Sequence, residues 1–491
     1  ALLPVVHPTV IPLLGLRLPI LPHTTPILPM SYLGKKIGLA LSGGGYRAAT
    51  YHIGTLRALH RLGILDHVDV LSSVSGGSIT AAYYALHRAD YERFEAGLIA
   101  RLRRGVLWSS FVYAGTAGLV LLLLSFGLGY LAGVLIHALL PQYPTLSGFG
   151  ATLFGIISLF ALLILFLKHS FVTLPTSKLI TRLYNKVFFG GKTLGDLPES
   201  PVVCINSTNL ATQLPFTFSK GFMGEYAYRI GGKSIFHADS FPIARAVMAS
   251  SCVPYGFTLQ RKYLRASYAD CPTQPEPPKL IDGGAYDNQG THKLTHDKSR
   301  FRTDYVIVSD AGNGVVTAST TTNIFNLAIN TIFLVVERVK RMQRSDNLYE
   351  TYIGKEHFAY IPLEWDCCPR LLEGFVTNLK DDNIHPDVWR SHGITEEEIV
   401  SLKKVKGKKD TEIYQLLLTK LQESIGWAEL QRRFPSEQEE RIARSVGTSL
   451  TGLSLAEIHA LIAHSDALTE TQIRLYMPML LPQSPQAPLP A

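Results

Sequence analysis

The stretch Val68–His87, VDVLSSVSGGSITAAYYALH, decides the fold. Val68 to Ser73 reads as a buried strand, and helix-compatible sequence resumes from Ser75 to His87. A serine at this joint, followed by Gly76 and Gly77, fits a nucleophile elbow: the tight turn lifts Oγ out of the sheet, and small neighbours relieve the crowding. The helix N-terminus beside it favours developing negative charge. The usual pattern is G-x-S-x-G, and here Ser73 stands where the first glycine is expected. Taken alone, the segment is equally a serine-glycine turn that caps a helix.

Working outward, the same alternation recurs. Lys36 to Leu41 is a short apolar strand ending in Gly43-Gly44-Gly45, and a helical pattern follows from Tyr46 to Leu62, with Gly63 as its C-cap. Pro201 to Asn206 and Asp304 to Ser309 are further buried strands. Strands alternating with helices imply an α/β fold with a mostly parallel central sheet covered on both faces. Thr321 to Arg341 reads as a core or interfacial helix, because Glu337, Arg338, Lys340 and Arg341 crowd its end. From Pro386 to Tyr476 the chain turns charged and helical, with a basic cluster at Lys403, Lys404, Lys406, Lys408 and Lys409.

Gly43-Gly44-Gly45-Tyr46-Arg47 lets backbone N–H groups converge on a small anion, either a phosphate or the oxyanion of a tetrahedral intermediate. No GK[ST] follows, and the glycine spacing is not a dinucleotide fingerprint. Arg47, one turn into the helix, is expected to anchor the loop rather than face a lipid phosphate. Asp282-Gly283-Gly284 follows the strand-like Lys279-Leu280-Ile281, so Asp282 can reach a site without a bulky neighbour blocking it; taken alone, the segment is equally a turn. An aspartate can activate a nucleophile directly. Asp310, at the end of Val306-Ile307-Val308-Ser309, is the rival base. His52, His60 and His237 sit in no turn of catalytic character and read as structural.

Gly105 to Leu167 contains no Asp, Glu, Lys or Arg and divides at Pro141-Gln-Tyr-Pro144. Leu107 to Leu140 exceeds the ~20 residues needed to cross a bilayer core, and Phe149 to Leu167 just meets it. The expectation is a transmembrane hairpin. Arg101, Arg103, Arg104 and Lys168 flank its two ends while its tip is uncharged, which puts both ends in the cytoplasm. Gly129 and Gly133 form a GxxxG face, for packing within the hairpin or for a homodimer through it.

A charged fraction of only 18% agrees with lipid-facing surface, and the modest net charge of +8 suits an anionic membrane face better than nucleic acid, which is not expected as a partner. The five cysteines, Cys204, Cys252, Cys271, Cys367 and Cys368, have neither disulfide-framework nor zinc-motif spacing, so no metal or cofactor is expected and a reducing compartment is. Residues 1–29 carry seven prolines, which excludes a signal peptide or a spanning helix; an apolar arm over a greasy surface is one expectation and a start at Met30 the other.

Gly43 to Arg47 as G-G-G-x-R, the elbow at Ser75 with Gly77, the segment Ala249 to Tyr255, and Asp282 to Asn288 resemble, in this order, the patatin-like phospholipases. The resemblance implies a Ser75–Asp282 dyad with no third catalytic residue and no metal. It places Gly43, Gly44 and Gly45 in the oxyanion hole, with Arg47, Gly77, Gly283 and Gly284 in support. It implies a lipid acyl hydrolase, of phospholipase A or lysophospholipase type, acting on membrane phospholipid or lysophospholipid. An acyltransferase with the same dyad, or a lipid-binding scaffold without turnover, is the alternative. The organisation that follows is a proline-rich arm (1–34), a catalytic domain in two halves (35–104 and 169–385) around the hairpin (105–168), a C-terminal helical region (386–476) and a proline-rich tail (477–491).

Overall fold

The computed structural model describes residues 34–105, 107–168, 176–230, 233–253, 277–312, 324–352, 356–405 and 411–482. The proline-rich arm, Pro254 and Tyr255, Cys271, Lys406, Lys408 and Lys409, and most of the tail lie outside these residues.

Eight strands form the main sheet: β1 (Ile37–Leu41), β2 (Val68–Val74), β3 (Val202–Asn209), β4 (Leu214–Ser219), β5 (Phe222–Gly224), β6 (Leu280–Asp282), β7 (Tyr305–Asp310) and β8 (His357–Pro362). Their order is β8-β7-β1-β2-β3-β4-β5, with β6 also paired to β3. The first five in that order run parallel, and β4, β5 and β6 add antiparallel pairs. Every residue of β1, β2 and β7 is buried, which explains why β1 and the Tyr305–Val308 part of β7 read as apolar runs rather than alternating ones, while β2 also buries Asp69, Ser72 and Ser73. The sequence reading misses β4, β5 and β8, and it ends β3 at Asn206, three residues early.

One detail of register positions the site. β2 lines one edge of β3 up to the pair Val74–Asn206. β4 takes the opposite edge, opposite both Asn206 and Ser207. On the β2 side the next position, Ser207, pairs with Asp282 of β6. Thus β2 and β6 approach head-on along one edge of β3 and stop at adjacent positions.

Helices α1 (Gly45–Arg61) and α2 (Gly76–His87) leave β1 and β2 after tight turns, and α3 (Tyr91–Leu102) follows, capped by Asp90, which accepts the Arg93 N–H at 2.9 Å. α4 (Leu107–Leu139) and α5 (Pro144–Lys168) are the two apolar helices, charged only at Lys168, and pack against one another. α5 begins at Pro144 rather than Phe149, since proline at the first helical position forfeits no hydrogen bond. Gly129 lies so close to α5 that a Cβ there would stand 2.7 Å from the Ala151 carbonyl oxygen, and Ser147 Oγ donates to the Gly133 carbonyl at 2.9 Å. The GxxxG face is therefore filled within the chain. The outward faces leave Leu123 62%, Phe126 75%, Phe149 67% and Ile164 64% exposed.

Further on come α6 (Thr176–Tyr184), α7 (Ile243–Ser250), α8 (Ile324–Tyr352), α9 (Glu437–Ser445) and α10 (Leu455–Tyr476). Capping boxes, Ser436 with Glu439 and Ser454 with Glu457, start α9 and α10. α10 lies along α1 in one shared core: Ser465 Oγ donates to the Tyr51 carbonyl at 2.6 Å, and a Cβ on Gly54 would come within 2.0 Å of that hydroxyl.

Candidate active site

Ser75 sits between β2 and α2 with φ 50 and ψ −119, a backbone conformation that a residue with a Cβ adopts only under strain. Its N–H donates to Ser250 Oγ at 2.8 Å, and Ser250 Oγ in turn donates to the Asn206 carbonyl at 2.5 Å. The C-terminus of α7 thereby holds the turn against β3. Ser73 is fully buried, and its hydroxyl donates to the Cys204 carbonyl at 3.1 Å, so the residue in place of glycine is accommodated by β3 itself. Gly76 has no room for a side chain, since a Cβ would stand 2.0 Å from the Gly45 carbonyl oxygen.

Asp282 ends β6, its N–H donating to the Cys252 carbonyl at 2.7 Å, while Gly283 N–H donates to the Ser250 carbonyl at 3.2 Å. The Gly284 N–H donates to Asp282 Oδ1 at 2.7 Å. Burial pushes the Asp282 carboxyl up to about 6, against the opposing pull of the Gly284 N–H and of the Ser75 hydroxyl. A Cβ on Gly283 would meet the Asn206 carbonyl oxygen at 2.4 Å, which is why the carboxylate is followed by glycine.

The glycine loop borders the same turn. A Cβ on Gly43 would stand 3.3 Å from Ser75 Cβ. Gly44 and Gly45 have φ 142 and 62, a run that side chains oppose. The three N–H groups differ in use. Gly43 N–H donates to the Asn288 carbonyl at 3.0 Å, whereas among the described residues those of Gly44 and Gly45 meet no acceptor. The next one, of Tyr46, donates to the Ser449 carbonyl at 2.8 Å. Arg47 is buried and donates through Nη1 to the Val446 carbonyl at 3.1 Å, an anchoring contact. Burial holds its guanidinium down at about 10, partly offset by the Asp310 carboxylate.

Asp310, the rival base, is engaged elsewhere. It pairs with Lys340 at 3.1 Å and accepts from Gln289 Nε2 at 3.0 Å. Burial would raise its carboxyl, but Lys340, Gln289 and the Gly312 N–H hold it below the usual range. His52 is buried with Nδ1 on Ser309 Oγ at 2.8 Å and Nε2 on the Ser42 carbonyl at 2.9 Å. His60 stacks on Tyr91, and His237 is exposed. Ser250, Asn288 and Ser449 are contacts that sequence reasoning missed. The first two lie inside the segments Ala249–Tyr255 and Asp282–Asn288, but Ser449 has no local signal, because it arrives from the far end of the chain.

The sequence matches the family described as Patatin-like phospholipase over residues 39–294. No curated protein matches it. Among solved structures, human GIVD cytosolic phospholipase A2 aligns at 16% identity and TM-score 0.29, over 56% of this chain and 42% of that one. The chain thus spans about two fifths of that enzyme's length. VipD from Legionella pneumophila aligns at 14% identity and TM-score 0.29, over 90% of this chain and 92% of that one. ExoU of Pseudomonas aeruginosa, solved with SpcU, aligns at 16% identity and TM-score 0.19, over 87% of this chain and 76% of that one.

Proposed function

The chain belongs to the patatin-like phospholipase family, and on that premise we propose that it is a lipid acyl hydrolase with Ser75 as nucleophile and Asp282 as its base. The observation that carries the reading is the convergence of the strained Ser75 turn, the buried Asp282 carboxyl and the Gly43–Gly45 loop. Ser75 Oγ attacks the ester carbonyl as Asp282 takes its proton. The oxyanion is met by the N–H groups of Gly44 and Gly45, since that of Gly43 already serves Asn288. Collapse breaks the acyl–oxygen bond, and protonated Asp282 returns its proton to the leaving alcohol. Water, deprotonated by the same carboxylate, then attacks the acyl-enzyme, and protonated Asp282 returns its proton to Ser75 Oγ as the fatty acid leaves. A carboxyl pushed up to about 6 is a better base than an ordinary aspartate and is still ionised at neutral pH.

The substrate we propose is a phospholipid or lysophospholipid resident in a bilayer. Support comes from α4 and α5, two helices long and apolar enough to cross a membrane, whose outward faces are apolar and exposed. In this reading the hairpin spans the bilayer with both ends cytoplasmic, flanked by Arg103 and Arg104 at one end and Lys168 at the other. α4 begins at Leu107, soon after the elbow, so the site opens near the headgroups and an acyl chain avoids exposure to water, worth about 0.8 kcal/mol per CH₂. The organisation we propose keeps residues 35–104 and 169–385 as one catalytic unit around the hairpin.

The test is labelling of the detergent-purified chain with a fluorophosphonate, together with fatty-acid release from phosphatidylcholine and lysophosphatidylcholine vesicles. Labelling and release that both vanish in Ser75→Ala support the reading. A wild-type protein that neither labels nor releases fatty acid would sink it, and acyl transfer to an added alcohol in preference to water would reassign it as a transferase.

A further inference from the structure

Away from the dyad, three side chains from distant parts of the sequence meet in the core. Cys367 lies on the loop after β8, Glu440 on α9 and His464 on α10. They are 9%, 7% and 0% exposed. One ligand atom from each, a thiol sulfur, a carboxylate oxygen and an imidazole nitrogen, falls within 4.8 Å of the others. Glu440 Oε1 stands 3.9 Å from His464 Nδ1.

His464 is the telling member. Among the described residues neither of its ring nitrogens meets a partner at full hydrogen-bond geometry, although the Trp365 backbone lies near enough to favour its protonated form. Ring nitrogens held out of water and short of partners are costly, and a bound ligand would relieve that cost. Glu440, by contrast, is oriented from behind. Its Oε1 accepts the Cys367 N–H at 2.8 Å, and its Oε2 meets Arg444 Nη2 at 3.3 Å. Arg444 is held in its turn by Asp366. A carboxylate fixed by outer partners beside an unsatisfied imidazole and a buried thiol is the arrangement of metal ligands with their supporting shell.

We propose that Cys367, Glu440 and His464 form a buried binding site for a zinc-like divalent cation. The donor set selects the class: thiolate and imidazole suit zinc and its neighbours and disfavour magnesium or calcium, which take oxygen. Zn–S near 2.3 Å and Zn–N near 2.0 Å put sulfur and nitrogen about 3.5 Å apart in a tetrahedral site, so the three atoms need to close by about 1 Å. Thiolate and carboxylate together neutralise the ion, which permits burial. The proton leaves Cys367 as the metal binds. Sequence spacing predicted no such site, because its ligands come from one loop and two helices, 73 residues apart from Cys367 to Glu440 and 97 from Cys367 to the His464 carbonyl it touches.

The consequence reaches the dyad. α9 and α10 bracket the segment Val446–Leu453, which accepts the N–H of Tyr46 and the guanidinium of Arg47. A cation joining Glu440 and His464 to Cys367 would tie both ends of that segment to the sheet.

The experiment uses the full chain in detergent, with any affinity tag removed. Metal-stripped protein is titrated with Co²⁺ and followed by absorbance. We expect an end point of one Co²⁺ per chain, with tetrahedral d–d bands and a thiolate-to-cobalt charge-transfer band that Zn²⁺ displaces and Mg²⁺ does not. Cys367→Ser should abolish the charge-transfer band and His464→Gln should weaken binding at least tenfold, while Cys368→Ser retains the band. A wild-type chain that gives no charge-transfer band overturns the proposal without recourse to variants, and so does a band that survives Cys367→Ser.

Discussion

Ser75 and Asp282 are brought together end to end: one follows the last residue of β2, the other ends β6, and the two strands stop at Asn206 and Ser207, adjacent positions on the same edge of β3. The register of a single strand thus sets the spacing of Ser75 and Asp282, the proposed nucleophile and base, and Ser250, bonded to both the Ser75 N–H and the Asn206 carbonyl, pins the junction.

Removing the Ser75 side chain should separate activity from stability. Ser75→Ala is expected to lower the rate of fatty-acid release by about 10³-fold or more. Ser75→Gly should be equally inactive yet more stable by about 1–2 kcal/mol, because glycine accepts φ 50 without strain. Denaturant melts of the three proteins check this, and a Gly variant less stable than wild type contradicts it.

Activity should show an acid limb near pH 6. The base works only when ionised, and burial pushes Asp282 up to about 6, so kcat/KM rises with pH through that value and then levels. A plateau extending down to pH 4.5 would count against Asp282 as the base.

Stability at Asp282 runs the other way. Its folded carboxyl is raised above the ordinary value, so its contribution is fully present below pH ~4 and is lost as pH rises through about 6. Asp282→Asn should therefore be inactive and, at pH 8, more stable than wild type by up to about 3 kcal/mol, with the gap closing at pH 4. Melting curves at both pH values read the difference.

Two glycines should respond differently to alanine. At Gly283 the new Cβ meets the Asn206 carbonyl at 2.4 Å, which is backbone and cannot yield, so Gly283→Ala should cost more than about 2 kcal/mol. At Gly43 the obstacle at 2.4 Å is the Asn288 side chain, with Ser75 Cβ behind it at 3.3 Å. Gly43→Ala should fold and lose activity through a displaced nucleophile. Thermal melts beside fluorophosphonate labelling rates distinguish the two.

The hairpin's orientation is open to direct labelling. In a cysteine-depleted background, a cysteine at Gln142 should react with an impermeant maleimide on intact cells, and one at Lys168 should react only after permeabilisation. The opposite pattern excludes cytoplasmic ends.

Much was legible locally. Strands buried on both faces announce themselves as apolar runs, an uncharged run longer than a bilayer announces a hairpin, and glycines at Gly43–Gly45, Gly76 and Gly283 mark close backbone approach. His357–Pro362 escapes although β1 is shorter, because only Phe358–Ile361 is apolar and His357 and Pro362 interrupt the run at its ends. So do contacts carried by register or by distant segments.

The sequence by itself determined the α/β class, the break at the uncharged helices, and Ser75 and Asp282 as candidates, because turn chemistry and hydrophobic period are local properties. Only the tertiary structure decided that Asp282 rather than Asp310 faces Ser75, that Ser449 and Val446 close over the glycine loop, and that Cys367, Glu440 and His464 share a core. Those relations depend on strand register and long-range packing, in which residues hundreds of positions apart become neighbours and no local spacing records it.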